Sequence, residues 1–258
     1  MITVVYHAGM NHQGEWAARM RDGLNRHGVR HMMKRTGEPV DTPAAICWGW
    51  RIGQKLREKG REVLVAERGY LGDRFHWTSL GWNGLNGRAD FRNAGMDGER
   101  WRLNFAGLMR DWTGRDGPTV IMGQVPTDTA LAGIDYQAWL NDTAAALPDA
   151  LFRPHPGALN VRCGLPLAEG DLDAVLTVAG RVVVYNSNSA TDAVLAGVPA
   201  ITIDRGAVTW SVTGHELHQT FTPDRTQWAH DIAWAQWSPD EISRGDAWEH
   251  IGKGALEC

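Results

Sequence analysis

The sequence predicts an α/β protein built from two doubly wound units, and three observations predict it. Short apolar runs alternate with amphipathic stretches of helical period along the chain. After the turn-rich residues 113–118 (TGRDGP) the alternation restarts. The formal charge changes sign at the same place: residues 1–117 carry 19 Lys/Arg and 13 Asp/Glu, a net of +6, whereas residues 118–258 carry 7 and 17, a net of −10. A chain of 258 residues can give each unit its own core. The expected division is therefore 1–117 and 118–258.

In the first unit, residues 3–7 read as a buried strand, 8–14 as a Gly- and His-containing loop and 15–27 as a helix. A second apolar run covers 43–48, and a helix over 51–59 is stopped by Gly60. Residues 62–66 (EVLVA) read as a third strand. Residues 67–91 then mix Gly, Asn and aromatic residues without periodicity, a stretch long enough to be expected to carry function. In the second unit, strands are expected at 119–123 (TVIMG), 151–154, 182–185 (VVVY) and 200–203, with helices at 136–147, 172–178 and 190–196. Strands separated by helices imply parallel pairing with helical crossovers. Ser238-Pro-Asp-Glu241 has the form of a capping box with proline at the first helical position, so the C-terminus is expected to be helical.

Composition narrows the function classes. Hydrophobic residues make up 43% and charged residues 22%, as in a soluble globular protein. No apolar run approaches the ~18 residues of a membrane span. The start MITVVYHAGMNHQGE lacks the parts of a secretory signal, and Cys47, Cys163 and Cys258 are scattered; both suit a reducing cytoplasm. Gly9 and Gly14 form neither a dinucleotide fingerprint nor a phosphate loop with lysine. Asp171-Leu-Asp173 opens a helix, where Asp is a favoured cap, and His215 and His218 are three apart rather than four. No essential metal and no bound cofactor are expected.

In open α/β sheets ligands bind at the carboxyl ends of the strands. Gln124-Val-Pro-Thr-Asp128 follows one strand, Arg153-Pro-His155-Pro156 the next, and Asn186-Ser187-Asn188-Ser189 a third. Ser187, Asn188 and Ser189 lead into a helix and offer hydroxyl and backbone N–H groups to a phosphate, more polar groups than a cap needs. Asp192 either accepts from ribose hydroxyls or serves as a favourable carboxylate in a first helical turn. His155, held between two prolines, is a candidate phosphate contact. In the long loop, Phe75, Trp77, Trp82 and Arg88 place aromatic faces beside a cation, a combination suited to stacking on sugars or flipped bases.

These motifs, QVPTD, RPHP and YNSNSATDAVLAGVP in this order at strand ends, resemble the capsule-polysaccharide family of glycosyltransferases, which includes the β-Kdo transferases. Upstream, Glu67-Arg-Gly-Tyr-Leu-Gly-Asp-Arg74 resembles the acidic segment of that family, with Arg68 where the family often has Asp. The resemblance implies a GT-B-like fold, two Rossmann-like domains facing across a cleft, with an acceptor-side first domain and a sugar-nucleotide-binding second domain. It assigns Gln124, His155, Ser187 and Asp192 to the donor, beside Asn188 and Ser189, which the helix-start argument already offers to the phosphate. Asp128 becomes the group at the anomeric carbon and Glu67 the acceptor-side acid/base. Arg74, Trp77, Trp82 and Arg88 are the expected acceptor-side residues. The expected activity moves a sugar from a nucleotide donor to a hydroxyl of an anionic acceptor. That acceptor is a hydroxymethylated pyrimidine in DNA, whose binding would weaken steeply with salt, or an anionic glycan. Two other readings remain open: a sugar-nucleotide epimerase of the same fold, and a non-catalytic nucleotide- or glycan-binding protein.

Overall fold

The computed structural model describes residues 1–252. Its elements in chain order are β1 (Ile2–Tyr6), α1 (Asn11–Arg26), β2 (His31–Arg35), β3 (Ala44–Trp48), α2 (Trp50–Arg57), β4 (Glu62–Arg68), β5 (Thr78–Trp82), α3 (Glu99–Asn104), β6 (Thr119–Met122) and α4 (Tyr136–Ala146). There follow β7 (Leu151–Arg153), α5 (Leu172–Val178), β8 (Arg181–Val184), α6 (Ser189–Leu195), β9 (Ala200–Thr202), α7 (Thr226–Ala233), β10 (Gln236–Trp237), α8 (Pro239–Arg244) and α9 (Asp246–Ile251). The expected strands and helices are present within a few residues. Asp171 caps α5 by accepting the Ala174 N–H, and Ser238 and Glu241 form the capping box of α8.

The chain forms two compact units, but the division differs from the expected 117/118. The first unit comprises Met1–Arg100 and the segment from His230 onward; the second comprises Trp101–Ala229. The physical reason is the return of the C-terminal segment: β10 pairs antiparallel with β5, and Ile242, Trp248 and Ile251 enter the core beneath α1. Redrawing the boundary changes the charges. The first unit then carries 18 Lys/Arg against 17 Asp/Glu, a net of +1, and the second 8 against 13, a net of −5. The strongly basic half vanishes, because the returning segment is acidic.

The first unit holds a six-stranded sheet in the order β10-β5-β4-β3-β1-β2. Strands β1 to β4 are parallel, and β5 runs antiparallel to β4. Along β1, Ile2 and Val4 face the core shared with Trp16, Met20 and Leu24 of α1, whereas Val5 faces the one shared with Leu56 of α2. Both faces are covered, so the strands read as continuous apolar runs, and a fully buried large apolar side chain contributes about 1.5–3 kcal/mol. Gly23 of α1 lets α8 approach closely: a Cβ there would meet the Ile242 carbonyl. Three strands escape the sequence pattern. β2 (HMMKR) is an edge strand with a polar end, β5 (TSLGW) contains Gly81, and β10 has two residues. Gly81 leaves room for the Phe91 ring, which a Cβ would meet at 2.7 Å.

The second unit holds a four-stranded, fully parallel sheet in the order β7-β6-β8-β9. The chain goes from β6 outward to β7, then crosses to β8 on the other side of β6. The two chain directions diverge between β6 and β8, which is the switch point where such sheets open a crevice at their carboxyl edge.

Candidate functional site

Strand register places the motif residues of the second unit. Met122 pairs with Arg153, and Ile121 pairs with Val183. Counting on by the same steps puts Gln124, His155 and Asn186 at one level, past the ends of three adjacent strands. Hydrogen bonds bear this out for the central pair. The Gln124 amide donates from Nε2 to Asn186 Oδ1 at 2.8 Å, and its Oε1 accepts the Asn186 backbone N–H at 3.1 Å. Gln124 is 5% exposed and Asn186 is 1% exposed. The Gln124 backbone N–H in turn donates to the Tyr136 hydroxyl at 2.8 Å. Burial pushes the Tyr136 phenol up to about 12, against the opposing effect of that bond. Gln124 therefore shapes the switch point by joining two loops, with its amide spent on Asn186.

Asn186 is the keystone that the residue pattern did not single out. Its Nδ2 donates to the Ala130 carbonyl and to Asp204 Oδ2, both at 2.8 Å. Asp204 Oδ2 also accepts the Gly206 N–H at 3.1 Å. One buried amide thus holds the loops that follow β6, β8 and β9. The available signal was position alone: a polar side chain immediately after the apolar run VVVY, where water is excluded and every polar atom needs a partner.

Around this keystone lie the more accessible groups. Asp128 is exposed and caps a short 3-10 turn by accepting the Ala130 N–H at 2.9 Å. His155 is half-buried, and its Nδ1 accepts the Gly157 N–H at 2.9 Å, which leaves the proton of the neutral ring on Nε2. Burial and then the Arg153 charge lower the His155 pKa, while the Asp128 charge pulls it back up. The structure thus brings Asp128 and His155 within electrostatic reach of each other. Ser187 Oγ accepts from the Ser189 N–H at 3.3 Å and from the Ser189 hydroxyl at 3.0 Å. Among the described residues Ser187 donates to no protein group, so its own proton can serve a ligand. Asn188 is the N-cap of α6, and Asp192 is half-buried in the first turn of that helix.

In the first unit, Glu67 lies at the carboxyl end of β4, and its Oε1 accepts the Trp50 N–H at the start of α2 at 2.9 Å. The four expected acceptor-side residues do not form one surface. Arg74 is half-buried in the turn before β5, and Trp77 is half-buried with the Arg100 guanidinium 5.7 Å from its ring. Trp82 is corrected to a core residue: it is 4% exposed and its indole N–H donates to the Ile251 carbonyl at 2.9 Å. Arg88 is exposed in the turn beyond β5, and Trp82 at the head of that turn pairs with Leu64 near the start of β4, whereas Glu67 lies near its far end and pairs with Ser79. Arg88 is therefore displaced toward the opposite edge of the sheet from Glu67.

Among the described residues no three His, Cys, Asp or Glu side chains gather as a metal-binding group, and no helix is long and apolar enough to cross a membrane. No protein-family model and no curated protein matches the sequence. Solved structures do. The β-Kdo 2,7 transferase of KpsC from Thermosulfurimonas dismutans is similar with a TM-score of 0.57 and 15% identity, over 98% of this chain and 99% of that one. The β-Kdo 2,4 transferase of KpsC from the same organism is similar with a TM-score of 0.56 and 14% identity, over 89% of each chain. At such identities the likeness establishes the shared fold.

Proposed function

We propose, from a chain that shares the fold of the β-Kdo transferases, that this protein is a glycosyltransferase taking its sugar from a nucleotide donor at the carboxyl edge of β6 and β8. One observation carries the reading: Gln124, His155 and Asn186 stand at the same level of three adjacent parallel strands, at the switch point of the second sheet. In this reading the GT-B plan applies, with the donor on the second unit and the acceptor on the first. The acceptor is a glycan rather than DNA, because the first unit is close to neutral once its C-terminal segment is counted.

The chemistry follows from the groups present. His155 Nε2–H and the Ser187 hydroxyl donate to the phosphate that leaves, offsetting charge as the bond from the anomeric carbon to phosphate breaks. The Nε2–H of His155 gives the phosphate a hydrogen bond and keeps its proton throughout. Asp192 accepts from the ribose hydroxyls. Asp128 meets the anomeric carbon as nucleophile or counter-charge, and Glu67 takes the proton of the acceptor hydroxyl. The reading calls for no metal.

Both carboxylates also do structural work, since Asp128 caps a turn and Glu67 holds the start of α2. That observation favours a second reading, a non-catalytic nucleotide-binding protein, and the test must separate the two. Asp128→Asn and Glu67→Gln keep an oxygen that can accept the same backbone N–H but lose the charge. Each is expected to lower sugar-nucleotide turnover at least ~100-fold, by the usual worth of a positioned acid or base, while nucleotide affinity changes little. Turnover near the wild-type level in both variants would end the assignment. Free epimer formed from donor alone would select the epimerase instead.

A further inference from the structure

The turn beyond β5 holds two Asn-Gly pairs, Asn83-Gly84 and Asn86-Gly87. Both asparagines take the left-handed conformation, with φ of 58° and 52°, a region that asparagine enters more readily than most residues with a Cβ. A glycine after asparagine leaves its backbone nitrogen unshielded by a side chain, so that nitrogen can attack the amide carbon of the asparagine. The sequence offers both positions alike; the structure separates them.

Asn83 is fastened at both ends of its amide. Its Oδ1 accepts the Val63 N–H at 2.9 Å, and its Nδ2 donates to Glu62 Oε2. The bond from Asn83 is the first of the influences that hold the Glu62 carboxyl below the usual carboxylate range. Conversion of Asn83 to an acid would set two carboxylates against each other. Gly84 is buried, and a Cβ there would meet the Arg88 carbonyl, so the backbone of this pair has no room to turn.

Asn86 is held at one atom. Its Oδ1 accepts the Tyr70 hydroxyl proton over 3.3 Å, a long bond, and its Nδ2 has no hydrogen-bond partner among the described residues. The Gly87 N–H likewise makes no hydrogen bond among them, and Gly87 and Arg88 are exposed, which admits water. Tyr70 is 2% exposed, and burial pushes its phenol up, so it keeps its proton and donates. A donor on Oδ1 stabilises the negative charge that collects there when Cγ is attacked.

We propose that Asn86 is a site of spontaneous covalent modification, in which the Gly87 nitrogen displaces ammonia from the side chain while the Tyr70 hydroxyl holds the oxygen. The Gly87 nitrogen gives its proton to solvent and bonds to Asn86 Cγ. The bond from Cγ to Nδ2 breaks, and ammonia leaves with a proton taken from solvent. Water then opens the resulting imide at either carbonyl, giving aspartate or its isomer linked through the side chain. The isomer inserts a methylene into the backbone of a turn whose ends, Trp82 and Asp90, bond to each other at 2.8 and 3.0 Å. Trp82 also holds the Ile251 carbonyl, so the change falls on a turn that anchors the returning C-terminal segment.

The test holds the full chain in mildly alkaline buffer, natively and in urea, before digestion with trypsin. Both asparagines lie in one tryptic peptide, residues 75–88, so fragmentation in the mass spectrometer compares them within the same molecules. In urea the two are expected to convert at similar rates. In the native chain Asn83 is expected to lag Asn86 by at least ~10-fold, since it must first break two hydrogen bonds. Gly87→Ala, at an exposed glycine without positive φ, is expected to stop conversion of Asn86. Tyr70→Phe keeps the ring that meets Phe91 edge-on and is expected to slow Asn86 about tenfold, the ~1.4 kcal/mol of one hydrogen bond. Asn83 in the same peptide reports whether each variant keeps the turn folded. Native conversion of Asn83 as fast as that of Asn86, no native conversion of Asn86, or a rate at Asn86 that Tyr70→Phe leaves unchanged would overturn the proposal.

Discussion

Replacing Arg100 by methionine is expected to destabilise the first unit by about 3–5 kcal/mol, the cost of leaving a buried ion pair with one member. Arg100 is 8% exposed. Its guanidinium forms a two-pronged pair with Glu241, with Nη2 to Oε2 at 2.9 Å, and donates to the Ala233 and Gln236 carbonyls, both at 2.7 Å. It also lies 4.3 Å from the Trp237 ring centroid and 5.4 Å from that of Trp234. This one side chain ties the returning C-terminal segment to the first unit. Chemical denaturation followed by tryptophan fluorescence measures the loss. The double variant Arg100→Met, Glu241→Met should recover part of it, because no uncompensated charge is then buried. A single-variant loss below ~1 kcal/mol, the worth of an exposed pair, would show that the C-terminal segment is not held this way.

The same pair sets a pH dependence. Burial alone would raise the Glu241 carboxyl, but the hydrogen bonds and charge of Arg100, helped by Ser238, hold it below the usual carboxylate range. A carboxyl depressed in the folded state stabilises it at pH above the unfolded value of about 4.3. That contribution is lost as pH falls through the folded value. The acid limb of the wild-type stability profile should therefore steepen below about pH 4, and should flatten in the double variant.

The second large effect is expected at Asn186. Asn186→Leu keeps the volume but leaves the Gln124 Nε2, the Ala130 carbonyl and Asp204 short of a partner at a position 1% exposed. At roughly 1–3 kcal/mol for a buried group left unpaired, the second unit should lose about 3 kcal/mol and the loops after β6, β8 and β9 their common register. Nucleotide affinity should fall with it even though Asn186 presents no atom to a ligand. Gln124→Leu removes the other half of the same reciprocal pair, so the double change should cost less than the two single losses combined. Simple additivity would mean that the amide pair does not act as a unit.

Where burial followed from a single strand, the sequence was readable. Residues 120–122 (VIM) and 182–184 (VVV) are buried on both faces and announce themselves as parallel strands, and the polar residues that follow them mark the carboxyl edge. Features that depend on distant segments were not readable. β5 (TSLGW) is a strand because β4 and β10 flank it, and β10 comes from the far end of the chain. Gln236 of β10 is fully buried and accepts the Tyr70 and Leu71 N–H groups with Oε1 at 2.6 and 2.9 Å, bonds that no local pattern foretells. The same return moved the unit boundary, dissolved the basic half and turned Trp82 from a stacking candidate into core. At the candidate site, residue types pointed to His155, Ser187 and Asp128. The part played by Asn186 needed register, because an amide becomes a keystone only when three loops converge on it.

Calorimetric titration with CMP, UDP and GDP and their sugars probes the proposed sugar-nucleotide site at the β6–β8 edge. One nucleotide series is expected to bind with 1:1 stoichiometry, and His155→Ala and Ser187→Ala each to weaken it about tenfold, the ~1.5 kcal/mol of a hydrogen bond to a charged group. No heat of binding with any of them, or binding that neither substitution alters, would contradict it.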